Sequence, residues 1–410
     1  MRYLLLYKKE IFYQYFFFIL FIFSPRIHFF QIPGSTSDLR LDIITMLFFG
    51  ALYFFINFSN FIRAKKVSVT WLVYILLIYI SIIYILVSRN SIYAIFQIFW
   101  YMTMLFAFFL SQKLVINFSF EKAIYFVRIF ININALMHLT DTINWRVFGN
   151  ERIGDLAYGF FEIPSPFALV LGCYTIITLM GKFRITKVEK FVLLSALLFS
   201  ESRIGAGAFI LTMVVLSRYK IWFMLLATFA YFSLFFIDSY LKALSFLTLT
   251  IDKVSQDPSL LMRVDNFNAM TQWWESAQTM WLGGGVLSHM DYSIQFGKPG
   301  PLDSLYLKML SDFGLISFIL FIVVVATLLI NNSHLIKLNF VEIISPIMFV
   351  AIYSLVNEGL VSVKSGHLVF FLVGLIFWSA KADMSNRKLK YNACKKIGNY
   401  SGLKKNIKKN

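Results

Sequence analysis

The chain is a succession of hydrocarbon runs interrupted once by a long polar stretch. Runs such as IWFMLLATFAYFSLFFI (221–237) and ISFILFIVVVATLLI (316–330) lie on either side of residues 238–312. That stretch holds eight of the 21 carboxylates, five Lys/Arg, three Trp and a triple glycine. Hydrocarbon offers no partner to a backbone N–H or C=O, so a polar insertion of this size folds outside a bilayer or lines a cavity opening from it. The rest follows the same rule. With 410 residues, 59% hydrophobic and only 14% charged, the chain reads as an all-α polytopic integral membrane protein. No other polar segment exceeds roughly 30 residues, about the lower limit of small stapled folds, so no soluble domain is expected. Two cysteines, Cys173 in an apolar run and Cys394 in the tail, supply neither a disulfide framework nor a metal site. The first apolar run ends in Ser-Pro-Arg and bulky residues, without the small-residue site of a cleaved signal peptide.

About twelve apolar spans follow one another, at roughly 11–30, 41–62, 67–87, 91–111, 123–140, 161–181, 188–201, 203–217, 220–237, 313–331, 340–357 and 365–380. The seventh and eighth fall short of the ~20 residues of a perpendicular helix, which predicts tilt or partial burial. Four parts result: a bundle of about nine helices (1–237), a large external loop (238–312), C-terminal transmembrane helices (313–380) and a basic tail (381–410). Alternate connections carry Arg2, Lys8 and Lys9; Arg63, Lys65 and Lys66; Lys113 and Lys122; Lys182, Arg184, Lys187 and Lys190; Arg218 and Lys220; Lys337; and ten Lys/Arg of the tail. This set takes 25 of the 38 basic residues. Positive residues mark the cytoplasmic side, so both termini are expected inside and the large loop outside. The net charge of +17 is then anchoring charge, with the tail a lipid-attracted segment and no nucleic-acid partner.

Ionisable residues inside the spans are costly and mark function or helix pairing. On the fifth span, Arg128 and Asn132 are four apart, and Asn134, His138 and Asp141 repeat toward the outer end on one helix face. Hydrogen bonding between helices is the plainer reading of each. The next connection gathers Arg152, Gly154, Gly159, Glu162 and Pro164, a composition that bends backbone. Between the seventh and eighth spans, Glu201, Ser202 and Arg203 form a tight turn, followed by Gly205 and Ala206. The pair Glu201–Arg203 is either an ordinary surface pair, worth under about 1 kcal/mol, or an arginine held at membrane depth and facing protein or ligand.

The large loop contains one amphipathic helix. Asp257-Pro258 starts it, Leu260, Val264, Phe267, Trp274 and Trp281 form its apolar stripe, and Gly283-Gly284-Gly285 ends it. Arg263 beside the free N–H groups of the first turn suits a phosphate, or else sits at lipid headgroups. Beyond lie His289, Asp291, Lys298 and the stretch GPLDSLYLKMLSDFGLISF, where Asp303 and Tyr306 meet the tenth span.

Four local patterns together resemble the O-antigen and capsule polymerase family (Wzy-like), within the O-antigen polymerase and ligase superfamily. They are Arg152-x-Gly154 with Pro164 downstream; Ser202-Arg203-x-Gly205-Ala206; Arg263 with a tryptophan-bearing helix and Gly283–Gly285; and Leu302-Asp303-Ser304-Leu305-Tyr306-Leu307 leading to Phe313-Gly314-Leu315-Ile316. The likeness covers roughly residues 145–320. Members often carry Asn after the proline, where this chain has Ser165, and the related ligases carry His where this chain has Asp303.

The resemblance implies a glycosyltransferase of the bacterial plasma membrane that joins glycan repeat units carried on undecaprenyl diphosphate, with no cofactor and no metal. Its partners would be the lipid-linked donor and acceptor, membrane lipid and a chain-length regulator. Arg203 and Arg263, with Arg152 and Tyr306, would hold the diphosphate. Asp303, His289 or Glu201 would take the acceptor proton, Asp303 first. A ligase would use the same clamp with another acceptor. A flippase would set its ionisable residues in a central cavity and has little use for so large an external loop. The charge distribution makes the first prediction. A reporter fused after Lys409 is expected to be cytoplasmic and one inserted near Gly297 external; an external C-terminus overturns the assignment of sides.

Overall fold

The computed structural model of the chain describes residues 2–25, 27–31, 38–62, 91–149, 160–161, 164–181, 183, 185–200, 202–216, 261, 265, 268, 277–284, 304–357, 360 and 364–385. These are helical apart from connections and one short antiparallel pair of strands. In chain order they are α1 (Arg2–Phe23), β1 (His28–Gln31), β2 (Asp38–Arg40), α2 (Leu41–Ile62), α3 (Ser91–Phe118), α4 (Phe120–Phe148), α5 (Pro164–Met180), α6 (Lys187–Leu198), α7 (Arg203–Leu216), α8 (Ala277–Leu282), α9 (Leu305–Asn331), α10 (Ser333–Leu338), α11 (Phe340–Val356) and α12 (Lys364–Ser385). Residues Ile98–Phe118, Phe120–Trp145, Leu305–Asn331 and Lys364–Ser385 are long and apolar enough to cross a membrane. Leu41–Asn57, Pro164–Met180, Ile204–Leu216 and Phe340–Leu355 are shorter apolar helices. The protein is a helical membrane protein. The spans expected at 67–87 and 220–237, and the tail, lie outside the described residues.

Two expected boundaries move. The first helix stops at Phe23 instead of running to about 30, because Pro25 lacks a donor and disfavours helix at Ser24. The freed Ser24 hydroxyl donates to the Phe21 carbonyl at 2.7 Å, and the chain turns through β1 and β2, with Gln31 opposite Asp38. The helix of the tenth span begins at Leu305, not 313, so residues 305–312 are helical. Ser304 caps it, its hydroxyl accepting from the Leu307 N–H. A break at Gly314 (φ 72°, ψ 177°) lets this first segment bend away from the apolar helix that follows.

Between helices in lipid there is little hydrophobic gain, so contact rests on close packing and polar bonds. Aromatic rings fill the centre: Phe18 of α1 stacks on Phe371 of α12 at 4.7 Å between centroids and leans on Phe49 of α2 at 5.4 Å. Small residues bring other axes together. A Cβ on Gly172 would lie 2.3 Å from the ring of Phe349, so the α5–α11 crossing requires glycine there.

The polar bonds are concentrated on α4. Arg128 grips both carboxylate oxygens of Glu189 on α6, and Asn132 donates to the same carboxylate at 2.8 Å. The Tyr174 hydroxyl of α5 also donates to it, at 3.4 Å. Thr186 caps α6 by accepting from the Glu189 N–H, which leaves the Glu189 carboxylate to its neighbours. Three helices are thus tied at the end that carries Lys187 and Lys190. Removing one side of such a pair strands the other charge. Because the Arg128 left behind is 33% exposed, Glu189→Leu is expected to destabilise the detergent-solubilised protein by about 1–2 kcal/mol, read as a lowered thermal unfolding midpoint. Replacing Arg128 by Met in the same chain should restore part of that loss.

Candidate functional site

At the opposite end of the helices, α11 gathers three of the segments singled out in the sequence. Its Ala351 carbonyl accepts from the Tyr306 hydroxyl of α9 at 3.2 Å. Its Tyr353 hydroxyl donates to the Ser165 carbonyl of α5 at 2.7 Å and also bonds the Ser202 hydroxyl just before α7. Its Asn357 amide donates to the Ser165 hydroxyl at 3.1 Å. Residues 351 to 356 span about 8 Å of helix axis, so the starts of α5, α7 and α9 meet on the last turns of one helix and the residue after it. The small residues of Ser202-Arg203-x-Gly205-Ala206 explain the closeness of two of them. The Ser202 hydroxyl accepts from the Gly205 N–H at 3.1 Å, and a Cβ on Gly205 would come within 2.8 Å of Ala168 on α5.

The consequence is electrostatic. The first turn of a helix leaves N–H groups without intrahelical acceptors and carries a partial positive charge. Three such ends on one face of the bundle favour an anion.

A second junction fixes the end of the large loop. After α8, Gly283 (φ 79°) packs against the break at Gly314 (φ 72°), each backbone within 2.6 Å of where a Cβ would stand on the other. The Gly284 N–H donates to the Ser311 carbonyl at 2.9 Å. Two of the sequence patterns, the glycine run and Phe313-Gly314, are therefore halves of one contact. Upstream, Leu261, Asp265 and Asn268 are helical and exposed, and Trp281 is half exposed.

The polar stripe of α4 reaches this end as well. Asn134 accepts from the Phe160 N–H at 2.7 Å, and His138 bonds the Phe199 carbonyl at 2.9 Å. Lys364, fully buried at the start of α12, donates to the carbonyls of Ser24 and Phe160. His367, one turn further, bonds the Thr103 hydroxyl of α3 at 2.7 Å.

Of the expected site residues, Tyr306 is described, and its hydroxyl holds α9 to α11. Arg203 is the first residue of α7, and its side chain lies outside the described residues. Arg152, Glu201, Arg263, His289 and Asp303 lie wholly outside them. Among the described residues no group of His, Cys, Asp and Glu could hold a metal ion. Sequence reasoning passed over Tyr353, Asn357 and Lys364. A lysine at the head of an apolar run was the visible sign of the last; nothing in an apolar helix advertised Tyr353. No family model matches the chain, and no curated protein is significantly similar to it.

The glycine junction gives a direct test. Gly283→Ala combines a left-handed φ with backbone overlap and is expected to destabilise by about 2 kcal/mol or more. Gly207→Ala on α7, where nothing lies within 4 Å, should be neutral or slightly stabilising. Thermal unfolding of both variants, measured side by side, checks the difference.

Proposed function

We propose that the chain is a polysaccharide polymerase acting on lipid-diphosphate-linked repeat units at the outer face of a bacterial plasma membrane. The observation that carries this reading is the meeting of three helix starts on the last turns of α11 and the Asn357 that follows it. The segments brought together there bear Arg203 and adjoin Pro164 and Asp303, and Tyr306 itself forms one of the contacts. The charge pattern agrees. Lys113, Lys122, Lys187, Lys190, Lys337 and Lys381 lie at the ends of their helices away from this junction, as expected of a cytoplasmic face.

The chemistry suits the arrangement. The acceptor hydroxyl oxygen bonds to the anomeric carbon of the growing chain while the bond from that carbon to the phosphate oxygen breaks. The lipid diphosphate leaves with the electron pair, and the hydroxyl proton passes to a carboxylate or imidazole, for which Asp303, His289 and Glu201 are the candidates. Charge accumulates on the departing diphosphate, so cationic groups fixed in advance lower the barrier. Helix starts supply partial charge, and Arg203 and Arg263, with Arg152, supply full charge. Guanidinium suits this role because it binds phosphate oxygens in pairs and keeps its proton.

Purified protein given only lipid-diphosphate-linked repeat units, without nucleotide sugar or ion gradient, is expected to lengthen the glycan. Arg203→Ala and Arg263→Ala should each lower the rate by about 10²–10³, roughly 3–4 kcal/mol in the barrier. The corresponding Lys variants should recover part of it. Initial rates and glycan lengths at matched protein levels decide the matter. Chain growth that requires a nucleotide sugar, or Ala variants within a few fold of the parent, would overturn the assignment.

A further inference from the structure

Two short turns, a 3₁₀ turn at Phe160-Phe161 and a turn at Phe199-Ser200, precede helix starts of the junction, and each is held four residues ahead of one. Phe160 stands four residues before Pro164, the first residue of α5, and Phe199 four residues before Arg203, the first residue of α7. Asn134 and His138, one turn apart on α4, take one each. The Asn134 carboxamide is oriented without ambiguity: its Oδ1 accepts from the Phe160 N–H at 2.7 Å while its Nδ2 donates to the Phe130 carbonyl of its own helix at 2.7 Å. His138 faces a carbonyl oxygen, which only accepts, so its Nε2 carries the proton and donates to Phe199 at 2.9 Å. Phe160 is held on its other side too. The Lys364 ammonium, whose closer acceptor is the Ser24 carbonyl, also reaches the Phe160 carbonyl at 3.5 Å and lies 5.4 Å from the Phe160 ring centroid, and that ring packs on Phe130 at 5.5 Å.

Asn134, His138 and Lys364 are completely buried. A lysine at the first residue of a helix opposes the helix dipole, and burying it costs more. Helix stability does not account for its place. Its bonds to the Ser24 and Phe160 carbonyls tie two connecting segments to α12.

We infer that Asn134, His138 and Lys364 are positioning residues, which fix the chain leading to the starts of α5 and α7 and so set the geometry of the diphosphate site without touching substrate. The inference rests on the function proposed above. Displacing a catalytic group by about 1 Å costs as much as 10²-fold in rate while leaving substrate affinity largely intact.

The test uses the full-length protein in detergent, with lipid-diphosphate-linked repeat units isolated from a source strain deleted for this chain. Lys364→Met and His138→Leu are expected to lower kcat at least tenfold with KM changed less than threefold. Lys364→Arg and His138→Gln, which keep a donor, should return kcat to within threefold of the parent. Independently of activity, hydrogen exchange at the Phe160 amide in the substrate-free protein should quicken at least tenfold in Asn134→Leu. Variants that unfold at lower temperature yet keep parental kcat, or an unchanged exchange rate at Phe160, overturn the inference. A parent protein that lengthens no glycan overturns the proposed function instead, and the exchange measurement still decides whether Asn134 holds the segment.

Discussion

A polar group surrounded by hydrocarbon has no water to fall back on, so each one must find its partner inside the protein. That constraint decides where the helices of this chain touch. Glu189 draws Arg128, Asn132 and Tyr174 from two other helices onto itself. Asn134 and His138 reach out of α4 for backbone groups that no helix or strand would satisfy. Because apolar faces gain little from packing on one another in lipid, these bonds, with the glycine and aromatic contacts, give the bundle its specific arrangement.

The same constraint makes irregular backbone at membrane depth expensive, and it is tolerated only where protein covers it. The turn between α6 and α7 illustrates this. With 12 residues, α6 extends about 18 Å, less than the ~30 Å hydrocarbon core, so its connection to α7 stays within the bundle. Ser200 is accordingly buried and the Phe199 carbonyl is bonded by His138. A helix that starts there presents its free N–H groups to a place poor in water, where their charge is least screened. A helix start placed where little water reaches it therefore follows from a short helix and its need for cover.

The loop junction shows a different kind of dependence. Gly283 and Gly314 are separated by 31 residues of sequence, and each adopts a backbone conformation open to few residues besides glycine. Neither glycine alone signals a contact. One reads as a helix stop and the other as a flaw in an apolar span, and only their mutual approach explains both.

What the sequence by itself determined is everything that depends on local pattern. Long apolar runs required helices, and the spacing of Asn134, His138 and Asp141 put three polar residues on one face. Even the reading of that face as glue between helices followed from the cost of polar groups in lipid. The partners did not. Glu189 is 61 residues from Arg128, and the groups met by Asn134 and His138 are backbone atoms of phenylalanines, which carry no polar mark in a sequence. Tyr353 and Asn357 look like ordinary residues near the end of an apolar helix until α5 and α7 are packed against them. Hydrogen bonds to main-chain atoms and contacts between distant helices leave no periodic trace, so the place where α5, α7 and α9 begin together was decided by the tertiary structure alone.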